Sequence, residues 1–149
     1  METTEDIEIK IVSNETEMEE CLKIRQSVFV EEQEVSAEEE YDEFEKESIH
    51  YLLLKEHNPV ATARSRKTPN GYKIERCAVL KDQRGKGVGA QLVQFVIEQS
   101  KREKSPNDCI YLNAQIHAQT FYEKLGFVAE EPIFFEANIP HRKMILSNT

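Results

Sequence analysis

Ile7, Ile9 and Ile11 alternate with polar or charged neighbours, the period of a half-buried strand, and predict a strand over residues 6–12. The period then lengthens. Behind the caps offered by Ser13-Asn14-Glu15-Thr16, the residues Met18, Leu22, Arg25 and Phe29 share one face of a helix that ends near Val30. Apolar stretches over 49–55 and 60–68, joined by His57-Asn58-Pro59, read as a hairpin, and Pro69-Asn70-Gly71 turns the chain into a further strand over 72–80. On that strand a period of two puts Lys73, Glu75, Cys77 and Val79 on one face.

Val88, Leu92, Phe95 and Val96 recur at helical spacing, with Gln91, Gln94, Glu98 and Gln99 on the polar faces, so an amphipathic helix is predicted through 91–99. Ser105-Pro106-Asn107-Asp108 breaks the chain before a strand over 109–115. Because a helical crossover separates it from the strand over 72–80, the two are expected to run parallel. A helix over 117–125, stopped by Gly126, and strands near 127–136 and 141–147 complete the pattern. Antiparallel strands with inserted crossover helices predict an α+β layered fold built on a mixed, mostly antiparallel sheet.

With 149 residues, one domain over 1–149 is expected; 39% hydrophobic and 32% charged residues describe a folded soluble chain. No apolar stretch approaches the roughly 20 residues that span a bilayer, and the N-terminal residues are acidic where a signal peptide is basic, so a cytoplasmic protein is expected. Cys21, Cys77 and Cys109 form no CxxC pair, and no metal site is expected. A net charge of −9 argues against a general nucleic-acid surface. Between residues 31 and 47 stand ten acids and one base, Lys46, which read either as a solvated face or as an acidic lip that concentrates a cationic partner.

Against that background the basic run Arg84-Gly85-Lys86-Gly87-Val88-Gly89 is conspicuous, lying between a strand and a helix. Glycines let main chain approach an anion, and the unpaired N–H groups of a first helical turn point at it. The segment Gly85-Lys86-Gly87-Val88-Gly89-Ala90 formally satisfies the dinucleotide pattern. However, the polar spacer Lys81-Asp82-Gln83-Arg84 precedes it, and no acid ends a second strand about 20 residues later. The Walker pattern fails because no Lys-Ser or Lys-Thr follows.

Arg84, Gly87 and Gly89 match the pyrophosphate-loop signature of the GNAT acetyltransferases, and the run from Ala78 to Gly89 resembles that family's strand, loop and helix. Leu112-Asn113-Ala114-Gln115, Ala118 and Phe121-Tyr122-Glu123-Lys124-Leu125-Gly126-Phe127 resemble its fifth strand and following helix. Arg25, Val28-Phe29-Val30, Glu32-Gln33, Asp42, His50, Ala61-Thr62-Ala63-Arg64 and Ile139-Pro140-His141 extend the likeness to a subgroup of small bacterial GNAT proteins of unassigned acceptor.

The resemblance implies a single-domain GNAT fold with helices on both sheet faces, splayed strands 4 and 5, and acetyl-CoA as cosubstrate. Cys77, Ala78 and Val79 would contact the acyl arm through their main chain, with the Val79 N–H on the thioester oxygen. Gly85, Lys86, Gly87, Val88, Gly89 and Ala90, with Arg84, would hold the pyrophosphate. Gln115 stands where the family has an Asn on the coenzyme arm.

Tyr122 matches the family tyrosine that protonates the departing thiolate, although it also fits an apolar stripe with Ala118, Phe121 and Leu125. Glu75 is the first candidate for the base, with a salt bridge to Arg64 or Arg66 as its structural alternative. Glu32, Asp42, His50 and His141 are further candidates. The expected activity is acetyl transfer to a primary amine of a small molecule or peptide by direct attack, the acceptor being cationic if the acidic lip lines its cleft. A homodimer is compatible with the fold. A non-catalytic acyl-CoA sensor or interaction module is the alternative.

Overall fold

The computed structural model describes residues 6–37 and 41–147; residues 1–5, and the acids Glu38, Glu39 and Glu40 of the acidic run, lie outside them. Among the described residues eight strands form one sheet in the order β1-β2-β3-β4-β5-β8-β6, with β7 paired to β8. The strands are β1 (Ile7–Ile11), β2 (Ile49–Lys55), β3 (Asn58–Thr68), β4 (Gly71–Val79), β5 (Ile110–Gln115), β6 (Phe127–Ala129), β7 (Phe134–Glu136) and β8 (Ile139–Leu146). Among the described residues three α-helices accompany them: α1 (Glu15–Arg25), α2 (Val88–Glu103) and α3 (Gln119–Lys124). Pairing is antiparallel except between β4 and β5. No helix among the described residues is long and apolar enough to cross a membrane.

Two cores hold the sheet. The larger packs Val88, Leu92, Val93 and Val96 of α2 against Leu53, Ala61, Ile74 and Leu112. The smaller joins Cys21, Ile24 and Val28 to Leu52 and Ala78 on the opposite face. The first helix is capped as expected by Asn14, whose side chain accepts from the Glu17 N–H at 2.8 Å. It buries Cys21, Ile24 and Arg25, not the stripe through Leu22 and Phe29, and from Gln26 to Glu32 it widens into a π-helical segment.

Three boundaries differ from expectation. The first hairpin turns at Glu56 and His57, both at positive φ (50° and 70°), while Asn58 and Pro59 belong to β3. A register shift opposite Leu53 and Leu54 is the kind of irregularity at which a proline is tolerated in a strand. The segment 127–136 is two short strands parted by Glu130-Glu131-Pro132-Ile133.

The third difference decides the site. On β4 the register passes from Arg64↔Glu75 to Thr62↔Ala78, so two β4 residues, Arg76 and Cys77, oppose the single Ala63. Arg76 takes the left-handed conformation, φ 55°, that a bulge residue adopts. The alternation therefore inverts along the strand. Glu75 lies beside Arg64, whereas Cys77 and Val79 pack with the α2 core, so the expected common face of Lys73, Glu75, Cys77 and Val79 does not exist.

Candidate active site

Parallel pairing of β4 and β5 is confined to Tyr72↔Ile110 and Lys73↔Tyr111, after which β4 runs on to Val79 and β5 to Gln115 without a ladder between them. The sheet is thus split by a wedge. The Leu80 N–H donates to Val60 at 3.0 Å, so alternation turns both the N–H and the carbonyl of Val79 away from β3 and into the wedge. That carbonyl accepts from Arg84 Nε at 2.9 Å.

A 3₁₀ turn, Lys81–Gln83, leads from β4 to the glycine run. Gly85 and Gly87 have φ of 78° and 80°, a conformation L side chains rarely adopt, and a Cβ on either would meet nothing within 4 Å. Gly87 caps α2 without a side-chain hydrogen bond, and the first turn carries no acid. The amides of Val88, Gly89 and Ala90 therefore form an anion-seeking helix start that no side chain caps. Gly89 is constrained by packing: a Cβ there would lie 3.4 Å from Phe121 and 3.5 Å from Val79. An anionic diphosphate fits this donor set.

The side chains around the wedge are already engaged. Arg84 is gripped bidentately by Glu32, at 2.6 and 2.8 Å. Gln115 accepts from or donates to two neighbours: its amide nitrogen reaches Gln33 at 2.8 Å, and its oxygen meets His117 Nε2 at 2.6 Å. Lys86 is solvent-exposed. The end of the π-helical segment thus bridges both lips of the wedge.

Tyr122 packs with the α2 core, edge-on to Phe121 and Phe127, and its hydroxyl interacts with the Cys77 thiol. Burial pushes the tyrosine well above its ordinary value, and pushes the thiol up to about 11. A thiol so poorly ionised is a weak nucleophile, which disfavours an acyl-enzyme on Cys77.

On the other face Glu75 accepts from Arg64 Nε at 2.7 Å and Arg66 Nε at 2.6 Å, with Lys73 at 3.1 Å. Burial alone would raise its carboxyl; Lys73, Arg64 and Arg66 outweigh it and hold the group down at about 2. Asp42 is likewise at about 2, between Arg64 at 2.6 Å and Arg76 at 3.0 Å, and Glu45 binds Arg25 through both oxygens at 2.8 and 2.6 Å. These carboxylates of the acidic run close an ion-pair network and do not line an open lip. Glu45 went unnoticed in the sequence because nothing sets it apart from its nine acidic neighbours.

His50 is buried and its Nε2 donates to the Glu45 carbonyl at 2.7 Å; desolvation lowers its pKa. His141 stands opposite Gln115 on β8, its Nδ1 on the Ile139 carbonyl at 2.7 Å and its ring stacked on Phe134. That bond requires the proton on Nδ1 and leaves Nε2 as an acceptor in the neutral ring.

The model of the acetyltransferase (GNAT) domain matches residues 12–148. The uncharacterised N-acetyltransferase YjcF of Bacillus subtilis is 39% identical over 136 residues, covering 91% of this chain and 96% of that protein. Escherichia coli ElaA superposes with a TM-score of 0.82 at 27% identity, over 97% of this chain and 100% of that one. An acyl-CoA N-acyltransferase from Pseudomonas aeruginosa does so with 0.81 at 26%, over the same shares. With the split sheet and glycine loop in the places the motifs require, the chain belongs to the GNAT family of acetyltransferases.

Proposed function

We propose that the protein transfers an acetyl group from acetyl-CoA to a primary amine by direct attack in a ternary complex. The observation that carries the reading is the wedge: a free Val79 amide lies at the end of a strand whose following loop and helix start offer a row of main-chain donors to a diphosphate. The description of the P. aeruginosa neighbour as an acyl-CoA N-acyltransferase supports it.

In this reading Gly85, Lys86, Gly87, Val88, Gly89 and Ala90 hold the pyrophosphate, with Arg84 released from Glu32 to share the charge. The main chain of Cys77, Ala78 and Val79 lines the acyl arm and Gln115 flanks it. The Val79 N–H stabilises the oxyanion that forms as the amine attacks. Tyr122, kept protonated by burial, donates to the departing thiolate.

Glu75 is ionised at every working pH and poorly matched to proton abstraction, so we assign it to holding Arg66 and Lys73 in place. His141, whose Nε2 lies 3.8 Å from Glu136 Oε2 and carries a lone pair in the neutral ring, takes the proton from the amine directly or through water. Release of coenzyme thiol from acetyl-CoA across a panel of amines tests the proposal. Turnover by the wild type and its loss in Tyr122→Phe are expected; equal rates in both remove Tyr122 from the chemistry.

A further inference from the structure

The β7–β8 hairpin turns at Ala137 and Asn138, both at positive φ (49° and 63°), a two-residue connection that fixes register across the turn. Phe134 pairs with His141 and Glu136 with Ile139, so Glu136 and His141 share a face as diagonal neighbours. It is also the face of Asn113. Leu112 and Ala114 on either side of Asn113 lie in the α2 core, which turns Asn113 away from α2. Gln115, opposite His141 on β5, carries the cluster to the lip of the wedge.

Three contacts brace Glu136 and His141. Asn113 Nδ2 donates to Glu136 Oε1 at 3.1 Å, the Phe134 ring stacks on the imidazole, and the Ile139 carbonyl accepts from His141 Nδ1 at 2.7 Å. With the ring proton on Nδ1, neutral His141 places a bare Nε2 lone pair 3.8 Å from Glu136 Oε2. Both atoms are acceptors, and the distance is too long for a hydrogen bond between them. A single nitrogen, however, can stand within about 3 Å of each. Among the described residues no lysine or arginine comes within 4 Å of Glu136, whose side chain is 47% exposed against 9% for His141. Asn113 and Phe134 also line a cavity of about 550 Å³ on this side of the sheet.

We propose that Glu136 and His141 together receive the acceptor nitrogen as an ammonium, which gives one N–H to the Glu136 carboxylate and one to His141 Nε2. The acceptor class is thus a strongly basic primary amine, with its body in the adjoining cavity. This deepens the acetyl-transfer reading and rests on it. An ammonium brings three donors and a full charge, whereas a weakly basic amine leaves the carboxylate without a counter-charge. One proton passes from the nitrogen to Nε2, and the freed lone pair forms the N–C bond. Collapse of the intermediate breaks the C–S bond, and the second proton that leaves the nitrogen balances the one Tyr122 gives to the thiolate. The imidazolium formed on the way stands beside the Glu136 carboxylate.

The test is steady-state turnover of the full chain with acetyl-CoA and two matched series. Alkyl- and arylalkylamines are charged at neutral pH; the corresponding O-alkylhydroxylamines are nucleophilic but uncharged. Glu136→Gln keeps an acceptor for Asn113 and removes the charge. It is expected to raise KM for the alkylamines by about tenfold, the worth of one charge-assisted contact, and to leave KM for the hydroxylamines and for acetyl-CoA nearly unchanged. Glu136→Asp should recover part of the loss. His141→Gln should lower kcat for the alkylamines far more than for the hydroxylamines, which bring no proton that must leave before attack. Parallel losses in both series, or a KM for alkylamines indifferent to Glu136→Gln, overturn the inference while leaving acetyl transfer standing. If no amine turns over although coenzyme A binds, the acetyl-transfer reading fails instead. NMR titration of the coenzyme-loaded chain with butylammonium chloride then decides the ammonium site: no binding, or binding insensitive to Glu136→Gln, overturns it.

Discussion

Arg84 donates to both carboxylate oxygens of Glu32 while its Nε holds the Val79 carbonyl, so one guanidinium ties the π-helical end of the first helix to the rim of the wedge. Glu32 also places a negative charge beside the glycine run. Glu32→Gln is therefore expected to tighten coenzyme A binding by several-fold, because it removes repulsion toward the diphosphate and frees Arg84. The gain should shrink as salt rises. Calorimetric titration at two ionic strengths measures both; unchanged or weaker affinity counts against a diphosphate at this place.

The glycine run makes a sharper demand. Gly87→Val forces a β-branched residue into φ 80°, and Gly89→Leu drives a side chain into Phe121 and Val79. Both variants should lose coenzyme A affinity by about 100-fold or more, the loss of two or more main-chain hydrogen bonds to a charged ligand. Circular dichroism of each variant separates a local loss from unfolding.

For Tyr122→Phe the expected loss is in kcat, by about 10²-fold or more, with KM for acetyl-CoA nearly unchanged, since the hydroxyl acts on the leaving group. Burial raises the Tyr122 pKa, so its proton stays in place through and beyond pH 10, and the alkaline limb of kcat should not fall with the ordinary titration of a tyrosine. A pH–rate profile with an alkaline limb near the usual tyrosine value contradicts this assignment.

Acid stability should follow the ion-pair network. Asp42 and Glu75 are depressed to about 2 from ordinary values of 3.8 and 4.5. A depressed carboxylate contributes stability that is complete above its unfolded value and is lost as pH falls through the folded one. The chain is thus expected to lose stability between about pH 4.5 and pH 2, and Glu75→Gln should flatten that slope. Denaturant melts across the interval measure it. Arg64→Met removes, at a residue 1% exposed, the cation that Glu75, Asp42 and Glu45 share and leaves them Arg66, Lys73, Arg76 and Arg25; it should cost about 3 kcal/mol at neutral pH.

The parts of the fold governed by local periodicity were readable from the chain alone. Alternation at Ile7, Ile9 and Ile11 located β1, and the spacing of Val88, Leu92 and Val96 located α2. The glycine run stood out because its chemistry is main-chain and contiguous. What periodicity conceals is a change of phase. Nothing in Lys73-Ile74-Glu75-Arg76-Cys77 marks the extra residue, since arginine is no habitual occupant of left-handed φ, and so Glu75 was assigned to the wrong side of the sheet.

Long-range ion pairs were hidden for another reason. Which of the acids between 31 and 47 meets which arginine depends on the path of a loop, and charge alone does not distinguish Asp42 and Glu45 from Glu43 and Glu47.

The inserted residue at Arg76 lets a single strand serve two clients. Lys73 and Glu75 before it face away from α2, and Cys77 and Val79 after it face the α2 core. Because the two sets look in opposite directions, drift at positions 73 and 75 would, under the proposed function, leave the coenzyme's seat at 77 and 79 undisturbed. A small chain of this design can change its customer while keeping its currency.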